Sequence, residues 1–458
     1  MGIKKLIEKK YYSIFVFGCA MNISDAERIK AVMDQHGYKQ RQNNTDIIIL
    51  VACSVRQSPI DRIWGILNKV KSRKSKVKNF PNRKPIVVLT GCVLPEDINK
   101  FAPRVDIIVD INNIKNIPEL IIHGAVEKKI KKTNKLRYFE VEPIRKSKFS
   151  ALVPIMTGCD NFCSYCAVPY TRGREYSRPA YEIIKEIKKL VSKGYKEIIL
   201  LGQNVNSYKS KVNNATMRRL NNNTIARLPH GSIVNFPILL RAVSLIPGNF
   251  WIRFFTSHPK DLSDELIKTI KECDKVCRHI NLPAQSGDND ILKAMNRKYT
   301  VGEYKKLIQK LKKSIPKIAI STDIIVGFPG ETKKQFEHTA RLLQEVEYDM
   351  AYIARYSPRP NTKAVELDDN VSHQEKKRRE QVLTKILKKT ALKNNKKYIG
   401  KQVEILVEKK IDNHYYWGKT NSYKHIKIKS PKNLCGRFAN AKVISATTWA
   451  LKGILVDN

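Results

Sequence analysis

Short, nearly continuous apolar runs alternate with helical stretches through roughly the first 125 residues. Tyr12–Phe17, Asp46–Ala52 and Pro85–Thr90 read as strands, ending at Gly18-Cys19, at Cys53 and at Gly91-Cys92. Unbroken apolar runs, separated by stretches of helical period such as Ser24–His36, predict a parallel sheet covered on both faces. The C-terminal ends of such strands share one edge, and ligands bind there. Cys19, Cys53 and Cys92 lie 34 and 39 residues apart. They are nevertheless expected at one edge, either as a three-thiol metal site or as ordinary buried cysteines.

A polar, lysine-rich stretch, Glu127–Arg145, reads as a linker. A second series then opens with the strand Ala151–Met156. In Tyr181–Gly194 the apolar residues Ile183, Ile184, Ile187, Leu190 and Val191 fall on one helical face, with Gly194 as the cap. Further strands are expected at Glu197–Leu201, Phe250–Phe255, His279–Leu282, Ile318–Val326 and Met350–Tyr356. Six strands alternating with helices predict an open barrel related to the eight-stranded (βα) type, with its chemistry at the C-terminal strand ends. The Asn-rich segment 209–235 interrupts the series and reads as a mobile insertion. Segment 373–397 is a charged helix with a thin apolar stripe (Val382, Ile386, Ala391) that bridges domains. Alternation at Val403, Ile405 and Val407 continues in short strands to Val456, a barrel-like all-β module of about sixty residues. Its Tyr415, Tyr416, Trp417 and Tyr423 are interleaved with Lys and His, as a base-stacking surface or as core aromatics.

Thiol spacing brings chemistry into this frame. Cys159, Cys163 and Cys166 share one loop that follows the strand Ala151–Met156. Three thiols without a fourth nearby can hold three irons of a cubane and leave the fourth open to a small molecule. A structural zinc site would need four closed ligands, and a redox pair only Cys-x-x-Cys. Cys273 and Cys277, four apart on an expected helix, read as structural thiols, and Cys435 stands alone in the β-module. His258 precedes Pro259 at a strand end, as a substrate contact or a turn residue. Arg172, Arg174 and Arg178 follow the cysteine loop, as a phosphate grip or a solvated face.

At 458 residues the chain has room for about three domains, and it carries 9 Cys. The N-terminus resembles neither a secretory leader nor a myristoylation signal, and no apolar run reaches bilayer length. A cytoplasmic address with no membrane is expected, where thiols mean metal or catalysis rather than disulfides. The formal charge of +44 points to a nucleic-acid partner, although Lys-, Asn- and Ile-rich composition also follows from an AT-rich genome.

The ordered motifs resemble the radical S-adenosylmethionine (SAM) methylthiotransferases, most closely the tRNA-modifying MiaB type, over nearly the whole chain. A first block carries Phe17–Asn22, Cys53–Arg56 and Gly91-Cys92. A second carries the Cys159 loop with Pro169–Arg174, Leu201–Tyr208, Thr256–Pro259, Leu282–Gly287, Met295–Thr300 and Asp323–Thr332. The third looks like a TRAM domain, a tRNA-binding β-module. Ala20 stands where the family usually has Gln, Val51-Ala52 replaces its Asn-Thr, and Asn361 replaces a Gly, a change that a left-handed backbone tolerates.

The resemblance implies an α/β protein in three parts. Residues 1–127 would be an N-terminal parallel-sheet α/β domain, and 128–144 a linker. Residues 145–390 would be an open (βα)6-type radical SAM partial barrel, and 391–458 a small all-β TRAM barrel. Cys159, Cys163 and Cys166 would hold the [4Fe-4S] cluster whose open iron takes SAM. A 5′-deoxyadenosyl radical would then remove hydrogen from C2 of the target adenine. Cys19, Cys53 and Cys92 would hold an auxiliary [4Fe-4S] cluster that delivers sulfur, with a second SAM supplying methyl. Gly202 and Gln203 would face the methionine end of SAM, and the segment containing Gly327 and Glu331 its adenosine end. No catalytic residue is expected beyond the clusters. The product would be a 2-methylthio group on N6-isopentenyladenosine beside the anticodon of tRNA. Implied partners are that tRNA, a flavodoxin- or ferredoxin-like electron donor and proteins supplying sulfur or clusters, with a monomeric chain. The competing readings are methylthiolation of threonylcarbamoyl-adenosine or of a ribosomal-protein aspartate, and a non-catalytic iron–sulfur tRNA-binding protein.

Overall fold

The computed structural model describes residues 11–72, 85–123, 136–212, 225 and 228–456. Two compact units divide the chain. The first comprises Met1–Lys146, Thr157–Tyr176 and Ser357–Val365; the second Ser147–Met156, Ser177–Tyr356 and Glu366–Asn458.

In the first unit a five-stranded sheet runs in the order β2-β1-β3-β4-β5. The strands are β1 (Tyr11–Val16), β2 (Lys39–Gln40), β3 (Ile47–Cys53), β4 (Ile86–Cys92) and β5 (Ile107–Ile108), all parallel. Every residue of β3 is buried, as an apolar run covered on both faces must be. Helix α2 (Gln57–Ser72) packs Ile60, Ile63 and Leu67 on one side. On the other lies α1 (Ala20–Gln35), whose Ile29, Val32 and Met33 join the core. The first two turns of α1 are different, because Asn22, Ser24, Asp25, Glu27 and Arg28 are also buried. Polar groups buried together break the usual pattern of a core and mark a functional place. Within 128–144, the described residues Tyr138, Phe139 and Val141 are buried in this same core.

In the second unit the six expected strands form two parallel blades, β8-β7-β6 and β9-β10-β11. They are β6 (Ser150–Pro154), β7 (Glu197–Leu201), β8 (Trp251–Phe254), β9 (His279–Asn281), β10 (Ala319–Val326) and β11 (Met350–Arg355). Helix α3 (Ala180–Ser192) buries Ile183, Ile184, Ile187 and Leu190. It stops as expected, because Gly194 turns left-handed (φ +85°) and the amides of Gly194 and Tyr195 bond back to Val191 and Leu190. Helix α4 (Phe236–Ser244), α5 (Asp264–Glu272), α6 (Val301–Ser314) and α7 (Lys333–Val346) complete the layer, the last two opened by capping boxes at Thr300 and Thr332.

The C-terminal strands β12 (Gln402–Lys410), β13 (Tyr415–Thr420), β14 (His425–Lys429), β15 (Phe438–Ala446) and β16 (Leu451–Val456) close into a barrel in the order β12-β13-β14-β16-β15. A buried charge cluster ties it to the parallel blades. Glu197 accepts from Arg253 Nε at 2.6 Å and from Ser150 at 2.6 Å. The other guanidinium nitrogens of Arg253 donate to the carbonyls of Thr420 and Asn421 at 2.7 and 3.0 Å.

Several expectations change here. Segment 209–235 is not structureless at its ends, because Lys209–Lys211 pairs antiparallel with Ile233–Asn235, and Val212, Ile225 and Val234 enter the core. Most of its interior lies outside the described residues. Cys273 and Cys277 do not share a helix: α5 ends at Glu272, and Cys277 lies in extended chain bonded to Ile252. Helix α8 (His373–Lys396) buries Leu383, Leu387 and Ala391 with Lys376 and Arg379, while Val382 and Ile386 flank that line. Buried partners admit the cations: Lys376 pairs with Asp369 at 2.6 Å and Arg379 with Glu331 at 2.7 Å.

Candidate metal centres and cofactor pocket

Three separate elements deliver the first thiol triad. Cys53 and Cys92 are register partners at the C-terminal ends of β3 and β4, and Cys19, just after β1, is the N-cap of α1. The strand ends can close because Gly91 adopts φ +112°. A Cβ there would lie 2.4 Å from the carbonyl oxygen of Ala52, so any other residue forces the strands apart. Asn22, wholly buried on the first turn of α1, ties the three together. Its Oδ1 accepts from the Cys19 amide at 3.3 Å and the Cys19 thiol at 3.5 Å. Its Nδ2 donates to the Ala52 carbonyl at 3.1 Å and approaches Cys92 Sγ at 3.8 Å. Burial pushes the Cys92 thiol up to about 12, against the opposing pull of Arg172, and pushes Cys53 up as well. Thiols release their protons on taking metal, so this site keeps them until iron competes. The donor set fits an iron–sulfur cluster, in which each thiolate binds a different iron. Among the described residues no three thiol, imidazole or carboxylate groups converge on a single ion position.

The second triad is local. Gly158 turns left-handed at φ +80°, and a Cβ there would lie 2.1 Å from the carbonyl oxygen of Arg174. The Cys159 amide donates to Gly173 at 3.2 Å, and that of Cys166 to Cys163 at 2.9 Å. Asn161 Nδ2 donates to Cys159 Sγ at 3.4 Å. Phe162 holds a positive φ of 46° with its ring edge-on to Tyr170. Cys159 and Cys163 are buried and Cys166 is half-buried. Three soft ligands on one rigid loop, without a fourth, suit a cubane with an open iron.

The three arginines after this loop divide. Arg174 stays exposed and pairs with Asp160 at 2.8 Å. Arg178 is buried on Glu182 and Glu186, a structural clamp rather than a phosphate grip. Arg172 is buried too, and its Nε donates to Cys92 Sγ at 2.9 Å.

In the second unit, buried polar atoms collect at the C-terminal ends of parallel strands. Past β7 the Thr256 hydroxyl donates to the Gly202 carbonyl at 2.5 Å, and the Val205 amide donates to the Thr256 carbonyl at 2.9 Å, which joins the loops after β7 and β8. Gln203 Oε1, both side-chain polar atoms of Asn206 and Ser257 Oγ are buried there without a hydrogen-bond partner among the described residues. After β10, Glu331 Oε2 accepts from the Gly327 amide at 2.6 Å and from Arg379 at 2.7 Å, while its Oε1 is buried and unpartnered. Burial raises the Glu331 carboxyl against those donors. Buried polar atoms are normally paired, so the unpartnered atoms at these strand ends are groups that a polar small molecule such as SAM could engage. Gly202 has a packing reason as well, since a Cβ there would meet Met156 Cγ at 2.4 Å. At Gly327 it would meet the stem of Lys376 at 2.3 Å. Burial, with Arg297 and Lys260 nearby, pushes His258 down to about 2. It is therefore neutral, and it accepts from the Lys260 amide at 3.3 Å as a turn cap.

In the small barrel Tyr416 is core, and Lys427 lies over the Tyr415 ring at 4.1 Å. Tyr423 packs against Phe255 and His279, with centroids 5.0 Å away in each case. Sequence reasoning missed Asp25 and assigned no role to Asn22, Asn206 and Ser257, which it held only within motif blocks. The signals for Asn22 were its place in the Phe17–Asn22 block and three residues after a cysteine at a strand end.

Three family models match: the Radical SAM superfamily at residues 153–343, Uncharacterized protein family UPF0004 at 11–110, and the TRAM domain at 396–456. Two relatives named tRNA-2-methylthio-N(6)-dimethylallyladenosine synthase are similar along nearly their whole length. One, from Clostridium botulinum (strain Langeland / NCTC 10281 / Type F), is 42% identical over 96% of each chain. The other, from Clostridium novyi (strain NT), is 40% identical over 99% of this chain and 98% of its own. Among solved structures, the radical S-adenosylmethionine methyltransferase TsrM from Kitasatospora setae, with cobalamin and a [4Fe-4S] cluster bound, is similar in fold. Its TM-score is 0.53 at 12% identity, over 78% of this chain and 77% of its own. The chain belongs to the radical SAM methylthiotransferases of the MiaB type. No helix among the described residues is long and apolar enough to cross a membrane.

Proposed function

We propose that this enzyme adds a methylthio group to C2 of N6-isopentenyl(dimethylallyl)adenosine beside the anticodon of tRNA, using two SAM molecules and sulfur from an auxiliary cluster. The observation that carries the reading is the pair of thiol triads, one built by three sheet elements and one by a single loop. An electron carrier closes each cluster with four thiols, and a tRNA binder needs no open iron. Similarity to named synthases, 40–42% identical over nearly the whole length, supports the substrate class.

Cys159, Cys163 and Cys166 would hold one [4Fe-4S] cluster, and Cys19, Cys53 and Cys92 the other. Together with SAM, these groups supply one-electron chemistry at an unactivated C–H bond and the sulfur to be transferred. The chain's own residues supply placement. Gln203 would accept from the amino-acid end of SAM and Glu331 from its ribose, since each has a buried acceptor oxygen left over. Asn206 and Ser257 offer further polar contacts on the same strand ends. The apolar packing beneath, including Met156 under Gly202, keeps water from the reacting atoms. Basic residues on the barrel, such as Lys427 over Tyr415, would engage the tRNA backbone. A flavodoxin- or ferredoxin-like donor would provide electrons and separate proteins would replace sulfur, in the cytoplasm.

The test is anaerobic incubation of the reconstituted enzyme with SAM, a reductant and isopentenylated tRNA, followed by nucleoside mass spectrometry. A methylthio product on that adenosine is expected. SAM cleavage without that product would move the substrate to threonylcarbamoyl-adenosine or a ribosomal protein.

A further inference from the structure

Arg172 is a buried cation beside the dispersed triad. Its side chain is 2% exposed, and that of its partner Asp25 is fully buried. One guanidinium nitrogen, Nη2, donates to Asp25 Oδ2 at 2.5 Å, and Nε donates to Cys92 Sγ at 2.9 Å. Asp25 Oδ1 accepts from the Tyr138 hydroxyl at 2.6 Å, and Arg28 covers the Tyr138 ring at 4.8 Å. The carboxylate is thus held in place, and the carboxylate holds the fork. A guanidinium has donors for a carboxylate and for a second acceptor at once. Here one N–H is directed at sulfur, and the positive charge lies in a place that solvent does not screen.

We propose that Arg172, oriented by Asp25, is a positioning residue for the auxiliary cluster. Its N–H and fixed charge hold the Cys92 thiolate on iron and favour the cluster's more reduced state. The inference rests on the reading of Cys19, Cys53 and Cys92 as ligands. Hydrogen bonds to the sulfurs, net charge and solvent exposure set the potential of such clusters, and an N–H on a ligand sulfur from the positive end of a buried ion pair, with the carboxylate on the far side, raises it. Arg172 also ends the short turn that follows the other triad, its amide bonded to the Val168 carbonyl at 2.8 Å. The residue that serves one cluster is therefore placed by the loop that holds the other, six residues after Cys166.

The test uses the full-length Cys159→Ala protein, so that the auxiliary cluster alone is observed. It is reconstituted anaerobically and titrated with dithionite and mediators while the electron paramagnetic resonance of the reduced cluster is followed. Arg172→Gln should lower the equilibrium constant for reduction at least about tenfold, equivalent to about 59 mV for a one-electron couple. Arg172→Lys, which keeps the charge but not the fork, should fall between. Iron loss from Arg172→Gln, with Arg172→Lys keeping about four irons and both chains folded, would equally support the proposal. An unchanged potential at full iron would overturn it, as would unfolding of both variants, since the role would then be structural. If the Cys159→Ala parent binds no cluster, the ligand reading itself fails, and the iron count shows that separately.

Discussion

The two thiol triads are assembled in different ways. Cys159, Cys163 and Cys166 sit in one loop shaped by bonds within a few residues of it, such as the Cys159 amide to Gly173 and Asn161 to Cys159. Cys19, Cys53 and Cys92 come together only when β1, β3 and β4 are aligned, with Asn22 reaching between them. Closing the second arrangement costs chain entropy that the sheet must repay. The local triad is therefore the more self-sufficient, and the dispersed one reports on the integrity of its sheet. Burial does not separate them, since each triad has two buried thiols and a third, Cys19 or Cys166, that reaches the surface.

The largest effect should come from a change that spares both triads. Arg253→Met removes the nearest cation from buried Glu197, which keeps Ser150 and, at 3.6 Å, Lys419; it should cost about 3 kcal/mol, seen as a fall in the unfolding midpoint. Iron content of the protein that remains folded should be unchanged; loss of one cluster would show that fold and sites are coupled more tightly than the contrast allows. Next in size are two matched glycine substitutions. Gly91→Ala and Gly158→Ala each place a Cβ against backbone at a positive φ, at a cost of about 1–3 kcal/mol. Gly91→Ala should halve the iron and remove methylthiolation while SAM cleavage persists. Gly158→Ala should abolish SAM cleavage yet leave the auxiliary cluster. Identical outcomes from the two would break the comparison.

Asn22→Ala and Asn161→Ala probe the same contrast more gently, each removing hydrogen bonds worth about 1 kcal/mol. The Asn22 change should slow reconstitution of the dispersed site more than the Asn161 change slows the loop, because Asn22 touches two thiols and Asn161 one. The smallest effect is on pH. His258 and His279 are pushed down to about 2 and about 3, chiefly by burial. Only their unfolded forms take up protons near pH 6.5. Stability is therefore full above that value and is lost as pH falls below it, by about 0.8 kcal/mol each at pH 6. His279→Gln should flatten the denaturation profile between pH 7 and 5 by about one proton.

Much of this was legible in the order of apolar runs. Continuous stretches such as Ile47–Cys53 read as covered strands, and cysteines closing three of them were expected at one edge, where the structure has Cys53 and Cys92 in register. Asn361, standing where a Gly is usual, takes φ +63° as its residue type allows. What hydropathy could not show is pairing over long distances in sequence. Arg172 reads as one more surface cation until Asp25, 147 residues away, is seen to hold it. Lys376 and Arg379 look like the wet side of a helix, yet Asp369 and Glu331 draw them inside. The unpartnered atoms of Asn206 and Ser257 carry no periodic signal, because they lie in loops past the strand ends.

The most direct measurement is iron and product together. Parent, Cys19→Ala and Cys159→Ala proteins are reconstituted without oxygen, their iron and sulfide are counted, and each is given SAM, reductant and isopentenylated tRNA. The account predicts about eight irons in the parent and about four in each variant, SAM cleavage lost only in Cys159→Ala, and a methylthio nucleoside from the parent alone. A parent that holds a single cluster, or a Cys19→Ala protein that still makes the product with full iron, would contradict it.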